Sequence, residues 1–185
     1  MSQYEWHVQK FRLVPYPASD LPKIQITGEI ERMGSRLSIR YAVTGEIDSV
    51  LLPALSNSPA RKHDLWKATC FEFFIAIKDQ PQYWEFNMSP SSNWNVYAMD
   101  AYRQVNMREE TAFTQLPFEF KKNDNEITLD ISVDLNPILE PDQVLQIGVT
   151  TIIQTDDANE SYWALAHPGP HADFHVRESF ILVVE

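Results

Sequence analysis

The sequence predicts an all-β fold, an antiparallel β-sandwich of immunoglobulin-like or jelly-roll-like type with about ten strands. Three observations predict it. Several segments alternate apolar and polar residues with a period of two. No segment carries a sustained helical period. The twelve prolines gather between the strand-like segments, as at Pro15, Pro17, Pro22, Pro53, Pro59, Pro168 and Pro170, where a residue without a ladder donor does no harm.

The elements follow in order. Lys23 to Ile30 and Arg36 to Val43 alternate, and Met33-Gly34-Ser35 between them suits a hairpin turn. Leu52 to Lys62 reads as a long connection with room for a helical turn. Thr69 to Ile77 is apolar on both faces except at Glu72, as expected of a central strand. In Tyr83 to Met88, Trp84, Phe86 and Met88 share one face and read as core. Tyr83, Glu85 and Asn87 share the other, and Ser89 continues that row. Strands are expected at Asn95 to Arg103, Glu126 to Val133, Leu145 to Ile153, Ser161 to Ala164 and Phe180 to Val184. Asn123-Asp124-Asn125 reads as the turn before Glu126. The length suits one domain over residues 1–185.

Charge narrows the partners. The chain carries 26 acidic residues against 15 Lys and Arg, for a formal charge of -11. Such a field repels phosphate backbones and anionic membrane surfaces, so no nucleic-acid partner is expected, and since no apolar run approaches the ~18 residues of a membrane helix, no membrane insertion is expected. The lone Cys70 permits no internal disulfide. The first residues show no basic and apolar leader, which points to a cytoplasmic location.

Candidate site residues fall in three stretches. Glu72 is a carboxylate inside an apolar strand, where charge is costly unless paired or hydrogen-bonded. It reads either as a structural ion pair with Arg103, Lys67 or Arg61, or as an acceptor for ligand hydroxyls. Trp66 precedes it by an even number of residues, which in an extended chain puts both on one face. Trp94 stands in a polar turn between Asn93 and Asn95. It reads either as a stacking platform or as a ring folded back on the core. The third stretch holds His167, His171, Asp173 and His175 around Pro168-Gly169-Pro170, which forbid a helix. An extended His171, Asp173 and His175 share a face and are metal candidates; an ordered loop with backbone-bonded imidazoles is the plainer reading. Asp156-Asp157-Ala158-Asn159-Glu160 is an acidic loop where a structural calcium is conceivable, though without EF-hand spacing. No phosphate loop or nucleophile elbow is present, so no catalytic residue is assigned.

Asp64 to Phe74, Tyr83 to Tyr97, Tyr162 to Pro168 and Asp173-Phe174-His175 together resemble the DOMON-like family of bacterial proteins, over most of the chain from about Leu13. The wider group includes family 9 carbohydrate-binding modules and haem-binding domains, both β-sandwiches with a ligand site against one sheet. The resemblance implies Trp66 and Trp163 as sugar-stacking rings and Glu72 as an acidic partner, with Asn87, Asn93 and Arg103 as weaker carry-overs. Against the haem-binding relatives, Met88, Met99, Met107, His167 and His175 are available as axial ligands, without a distinct pair. The expected function is therefore a non-catalytic module for a small ligand, a sugar or sugar derivative stacked on tryptophan. No cofactor is required on that reading. A haem or redox-cofactor module, a glycan hydrolase and a protein-partner domain are the alternatives.

Overall fold

Adjacent alternating strands can bury one face each only by packing against a second sheet, and the chain does this. A computed structural model describes residues 8–102, 107–155 and 159–185. Twelve strands are present among the described residues: β1 (Gln9–Pro15), β2 (Ile24–Met33), β3 (Arg36–Gly45), β4 (Cys70–Ile77), β5 (Tyr83–Met88), β6 (Trp94–Met99), β7 (Arg108–Glu109), β8 (Phe118–Lys122), β9 (Glu126–Asp134), β10 (Leu145–Gln154), β11 (Glu160–Ala164) and β12 (Leu182–Val184). All pairings between them are antiparallel. One layer runs β1-β2-β3-β9-β8, the other β7-β6-β5-β4-β10-β11, and β12 also pairs with β10. Strand β1 joins the layers: Gln9 to Leu13 pair with β2, then Val14 and Pro15 pair with β11.

The antiparallel β-sandwich is as expected, with more strands than the ten or so read from pattern. The additions are β1, β7 and β8. Strands β7 and β8 are short and mostly exposed, so they carry little periodic signal. Strand β6 ends at Met99 rather than at Arg103, which lies outside the described residues. The helical turn looked for in Leu52 to Lys62 is instead a 3₁₀ turn on either side, at Ile47–Ser49 and Leu65–Lys67. No helix among the described residues is long and apolar enough to cross a membrane.

The main core lies between the layers. Phe71, Phe73 and Ile75 of β4 and Trp84, Phe86 and Met88 of β5 face Ile26, Ile30, Leu37, Ile39, Tyr41 and Val43. Phe73 stacks on Phe86 at 4.5 Å between centroids. The Tyr41 hydroxyl donates to the Glu72 carbonyl oxygen at 2.7 Å, tying the first layer to the centre of the second. Gly28 lies opposite Phe11 in the β1–β2 ladder. A Cβ there would come 2.3 Å from the Phe11 ring and 2.1 Å from the Arg40 carbonyl oxygen. Gly28→Ala is therefore expected to destabilise the protein by about 1–3 kcal/mol through overpacking, read as a lower urea midpoint with an unchanged slope.

Strands β4, β5, β6 and β10 are buried on both faces because the outer face of their sheet is also covered. Phe74, Ala76, Tyr83, Tyr97, Met99, Ile152 and Ala164 form a second apolar cluster there, closed by Phe174 and Phe180 of the C-terminal segment. Gly148 permits that closure, since a Cβ would stand 2.7 Å from the Phe180 ring. Arg177 anchors the segment, donating to the Gln80 carbonyl and to Gln146 Oε1 at 2.9 Å each.

Candidate functional site

The strand register assembles a polar row on this outer face. Thr150 of β10, Glu72 of β4, Asn87 of β5 and Asn95 of β6 lie side by side across four strands. Glu85 belongs to the next row, opposite Phe74 and Tyr97. Two carboxyl groups thus stand diagonally adjacent on a sheet face that is otherwise mainly apolar and aromatic. Cross-strand neighbours of this kind are close enough to interact.

Both carboxyls are buried, Glu72 at 2% and Glu85 at 4% exposure. Glu72 Oε2 accepts a hydrogen bond from Thr150 Oγ1 at 3.2 Å. Glu72 Oε1 is fully buried and has no hydrogen-bond partner. Glu85 is better supplied: Asn87 Nδ2 donates to its Oε1 at 2.7 Å. His175 Nε2 lies 3.8 Å from its Oε2, a contact that becomes an ion pair when the ring is protonated. The other ring nitrogen, Nδ1, is 3.0 Å from the Tyr83 hydroxyl, and Asp173 Oδ1 accepts from the His175 backbone N–H at 3.0 Å.

Desolvation dominates the electrostatics. Burial raises the Glu72 carboxyl well above the usual carboxylate range, and the Glu85 charge raises it further; the bond from Thr150 acts the other way. Burial also raises Glu85, less completely, because His175 and Asn87 favour its ionised form. The neutral acid at Glu72 therefore persists far above the pH at which an exposed glutamate ionises. Glu72 can then donate one hydrogen bond and accept others.

A cavity of about 190 Å³ opens over this pair. Trp66, Phe74, Ile152, Tyr162 and Phe174 supply its aromatic and apolar walls; Glu72, Glu85, Asp173 and His175 supply its polar groups. Met107 and Ala172 complete the lining. For scale, an engineered apolar cavity of about 150 Å³ takes up benzene. The hollow thus suits a single six-membered ring.

Trp66 and Glu72 line this cavity together, although not by alternation along an extended strand. Trp66 sits on the 3₁₀ turn Leu65–Lys67, half-buried, with its ring edge-on to Tyr97 at 5.8 Å. The ion pair considered for Glu72 is absent among the described residues. Lys67 instead meets Asp64. Arg61 binds Asn95 Oδ1 and stacks over the Trp94 ring, 4.4 Å from its centroid. Asn87 lies beneath the cavity and holds Glu85.

Other expected residues lie elsewhere. Trp94 and Trp163 are buried between the two sheets, at 5% and 4% exposure, and cannot stack a ligand. Trp163 Nε1 donates to Ser161 Oγ at 2.9 Å. The residue before it, Tyr162, takes the place at the cavity expected of Trp163. Asn93 is an internal turn residue, accepting from the Ala60 N–H and donating to Ser91 Oγ. His167 packs edge-on against Tyr16, with its Nε2 3.0 Å from the Val14 carbonyl oxygen and away from the cavity lining. Arg103 lies outside the described residues, as do Asp156 and Asp157 of the acidic loop. Of that loop's other donors, Glu160 Oε2 accepts from the Tyr162 hydroxyl.

His171 is exposed, and only Asp173 and His175 of that trio reach the cavity. Among the described residues no three His, Cys, Asp or Glu side chains gather as a metal site. Of the haem-ligand candidates, Met88 is in the inter-sheet core and Met99 in the outer cluster, while Met107 and His175 border the cavity. Its 190 Å³ falls below the roughly 300–1,000 Å³ that encloses a drug-sized molecule, so a haem would need a wider opening than these walls leave.

No family model matches the sequence, and no curated protein matches it. Solved structures do. A protein of Bacteroides uniformis, provisionally designated carbohydrate-binding, superposes with a TM-score of 0.67 at 10% identity, covering 93% of this chain and 84% of its own. A family 9 carbohydrate-binding module of Caldicellulosiruptor kristjanssonii gives 0.49 in its cellotriose complex and 0.45 in its glucose complex, each at 10% identity. The two alignments cover 87% of this chain and 72% and 73% of the module. At that identity the Bacteroides match establishes a shared β-sandwich architecture.

Proposed function

We propose that the chain is a non-catalytic binding module for a small, hydroxyl-bearing ring, a sugar or sugar derivative, held in the cavity on the outer sheet face. One observation carries the reading: Glu72, a buried glutamate with one oxygen, Oε1, lacking a hydrogen-bond partner, stands in the wall of a ring-sized hollow beside Trp66 and Tyr162. An unsatisfied buried oxygen costs about 1–3 kcal/mol, and a ligand hydroxyl would recover that cost on binding. Aromatic walls suit the C–H faces of a pyranose, and the carboxyls suit its hydroxyls. The fold shared with the Bacteroides protein supports the reading. Both carboxyls project from one sheet face on neighbouring strands. A glycosidase pair instead flanks the scissile bond from two sides, which favours holding over hydrolysis.

Calorimetry against a panel of mono- and oligosaccharides, amino sugars included, tests this directly. Binding should be saturable, and Trp66→Ala should weaken it by about 1–3 kcal/mol, or roughly 5- to 150-fold. An absence of heat and of tryptophan fluorescence change across the panel would overturn the reading.

A further inference from the structure

We propose that the ligand carries a protonated amino group, which the Glu72–Glu85 pair recognises. The inference rests on the binding reading above and narrows it to an amino sugar. The polar groups of the cavity are strongly one-sided. Glu72 and Glu85 are buried acids, Asp173 is engaged by the Tyr102 hydroxyl and the His175 N–H, and no Lys or Arg occurs among the described residues that line the cavity. A neutral hydroxylated ring is ordinarily met by a mixture of donors and acceptors. Of the two acids Glu85 is the more readily ionised, because His175 and Asn87 favour its charged form, and His175 already contacts Glu85 and Tyr83.

Three further features favour a cation. Glu72, a residue of the cavity wall, has one buried oxygen, Oε1, without a hydrogen-bond partner, so its carboxyl is left short of a partner that a ligand group could supply. An ammonium group supplies three donors at one point, enough to reach both carboxyls at once. The walls present the rings of Trp66, Phe74, Tyr162 and Phe174, and aromatic faces attract a desolvated cation. A second carboxylate beside the first is unfavourable for an empty site but favourable once a positive charge lies between them.

The test is titration calorimetry near pH 6.5, where a ring amine is charged, using matched pairs: glucosamine with glucose, galactosamine with galactose, mannosamine with mannose. The best amino sugar should bind at least about tenfold more tightly than its parent. N-acetylation should abolish the advantage. Glu85→Gln, which keeps an oxygen for Asn87, should shrink the ratio to about twofold or less while leaving the thermal unfolding cooperative; Glu72→Gln is the second such variant. Ethanolamine is the probe without a ring. Ethanolamine binding lost in Glu85→Gln, with no response to any sugar, would retain the ammonium site and overturn the sugar reading. Parent sugars binding as tightly as their amines would overturn the ammonium inference and leave the sugar reading standing. Silence from every probe with folded protein would overturn both.

Discussion

Trp163→Ala is expected to destabilise the protein by about 3–5 kcal/mol, the range for a large aromatic removed from a packed core. In a chain of this size that lowers Tm by roughly 6–20 °C. Trp163 lies in the inter-sheet core, and its indole N–H is committed to Ser161 within the same strand. Its backbone pairs with Pro15 on one side and Thr151 on the other, where β1 crosses between layers. A cavity at this junction would loosen the joint that joins the two sheets. Trp66→Ala should behave in the opposite way. That ring is half-buried on a short turn, so its removal should cost about 1 kcal/mol of stability and most of the ligand affinity. Urea unfolding of both variants, with calorimetry on each, separates the roles. If Trp163→Phe folds normally and loses binding, the assignment of Trp163 to the core alone is wrong.

That contrast also marks where sequence reasoning reaches its limit. Period-two alternation separates Trp84, Phe86 and Met88 from Tyr83, Glu85 and Asn87, because β5 presents one row to the inter-sheet core and the other to the outer face of its sheet. The Met33-Gly34-Ser35 hairpin was equally legible: Met33 pairs with Arg36, and Gly34 takes the positive φ that the turn needs. The same alternation places Tyr162 and Trp163 on opposite faces without saying which face is outward. In a sheet buried on both sides, hydrophobicity cannot answer that question. The family resemblance points to Trp163 as the ligand platform, whereas the inter-sheet core holds it. Trp94 followed the same rule, sharing the inner face with Val96 and Ala98.

Glu72 was legible as an anomaly, since no apolar strand needs a carboxylate. Its neighbour Glu85 was placed on the correct face, but its significance depends on register. Only the pairing of Glu72 with Asn87 and of Phe74 with Glu85 brings the two acids diagonal to one another. The walls are less visible still. Trp66, Ile152, Tyr162, Phe174 and His175 come from four separate parts of the chain. Their convergence depends on the C-terminal segment folding back over the sheet, and that return is written in packing around Gly148 and Phe180 rather than in any local pattern.

The stability of the protein should carry the imprint of this site as a pH dependence opposite to ordinary acid denaturation. A carboxyl whose folded pKa is raised binds its proton more tightly in the native state than in the unfolded chain. Its contribution is then complete below the usual glutamate range, near 4.5, and is lost as pH rises toward the folded value. Glu72 and, to a smaller extent, Glu85 both act in this sense. Other shifted groups act elsewhere or cancel. Asp134 is lowered, so it matters only below about pH 3.8. Cys70, raised by burial, begins to act only above its usual 9.0. Tyr162, raised to about 12 by its bond to Glu160, acts above 10. His167, lowered by burial, costs stability as pH falls below 6.5 and so opposes the glutamates. A comparison with Glu72→Gln removes that opposition, because His167 is common to both proteins. The variant should match wild type within about 0.5 kcal/mol at pH 5 and exceed it by about 1–3 kcal/mol at pH 8, the range for an uncompensated buried polar group. Urea midpoints at unit pH steps would trace the divergence. Parallel curves for the two proteins would mean that the Glu72 carboxyl ionises freely in the folded state, which its burial and its partnerless oxygen do not allow. A saturating ligand that binds the ionised pair should narrow the gap at pH 8, because the native state then gains a partner for the charge that it otherwise resists.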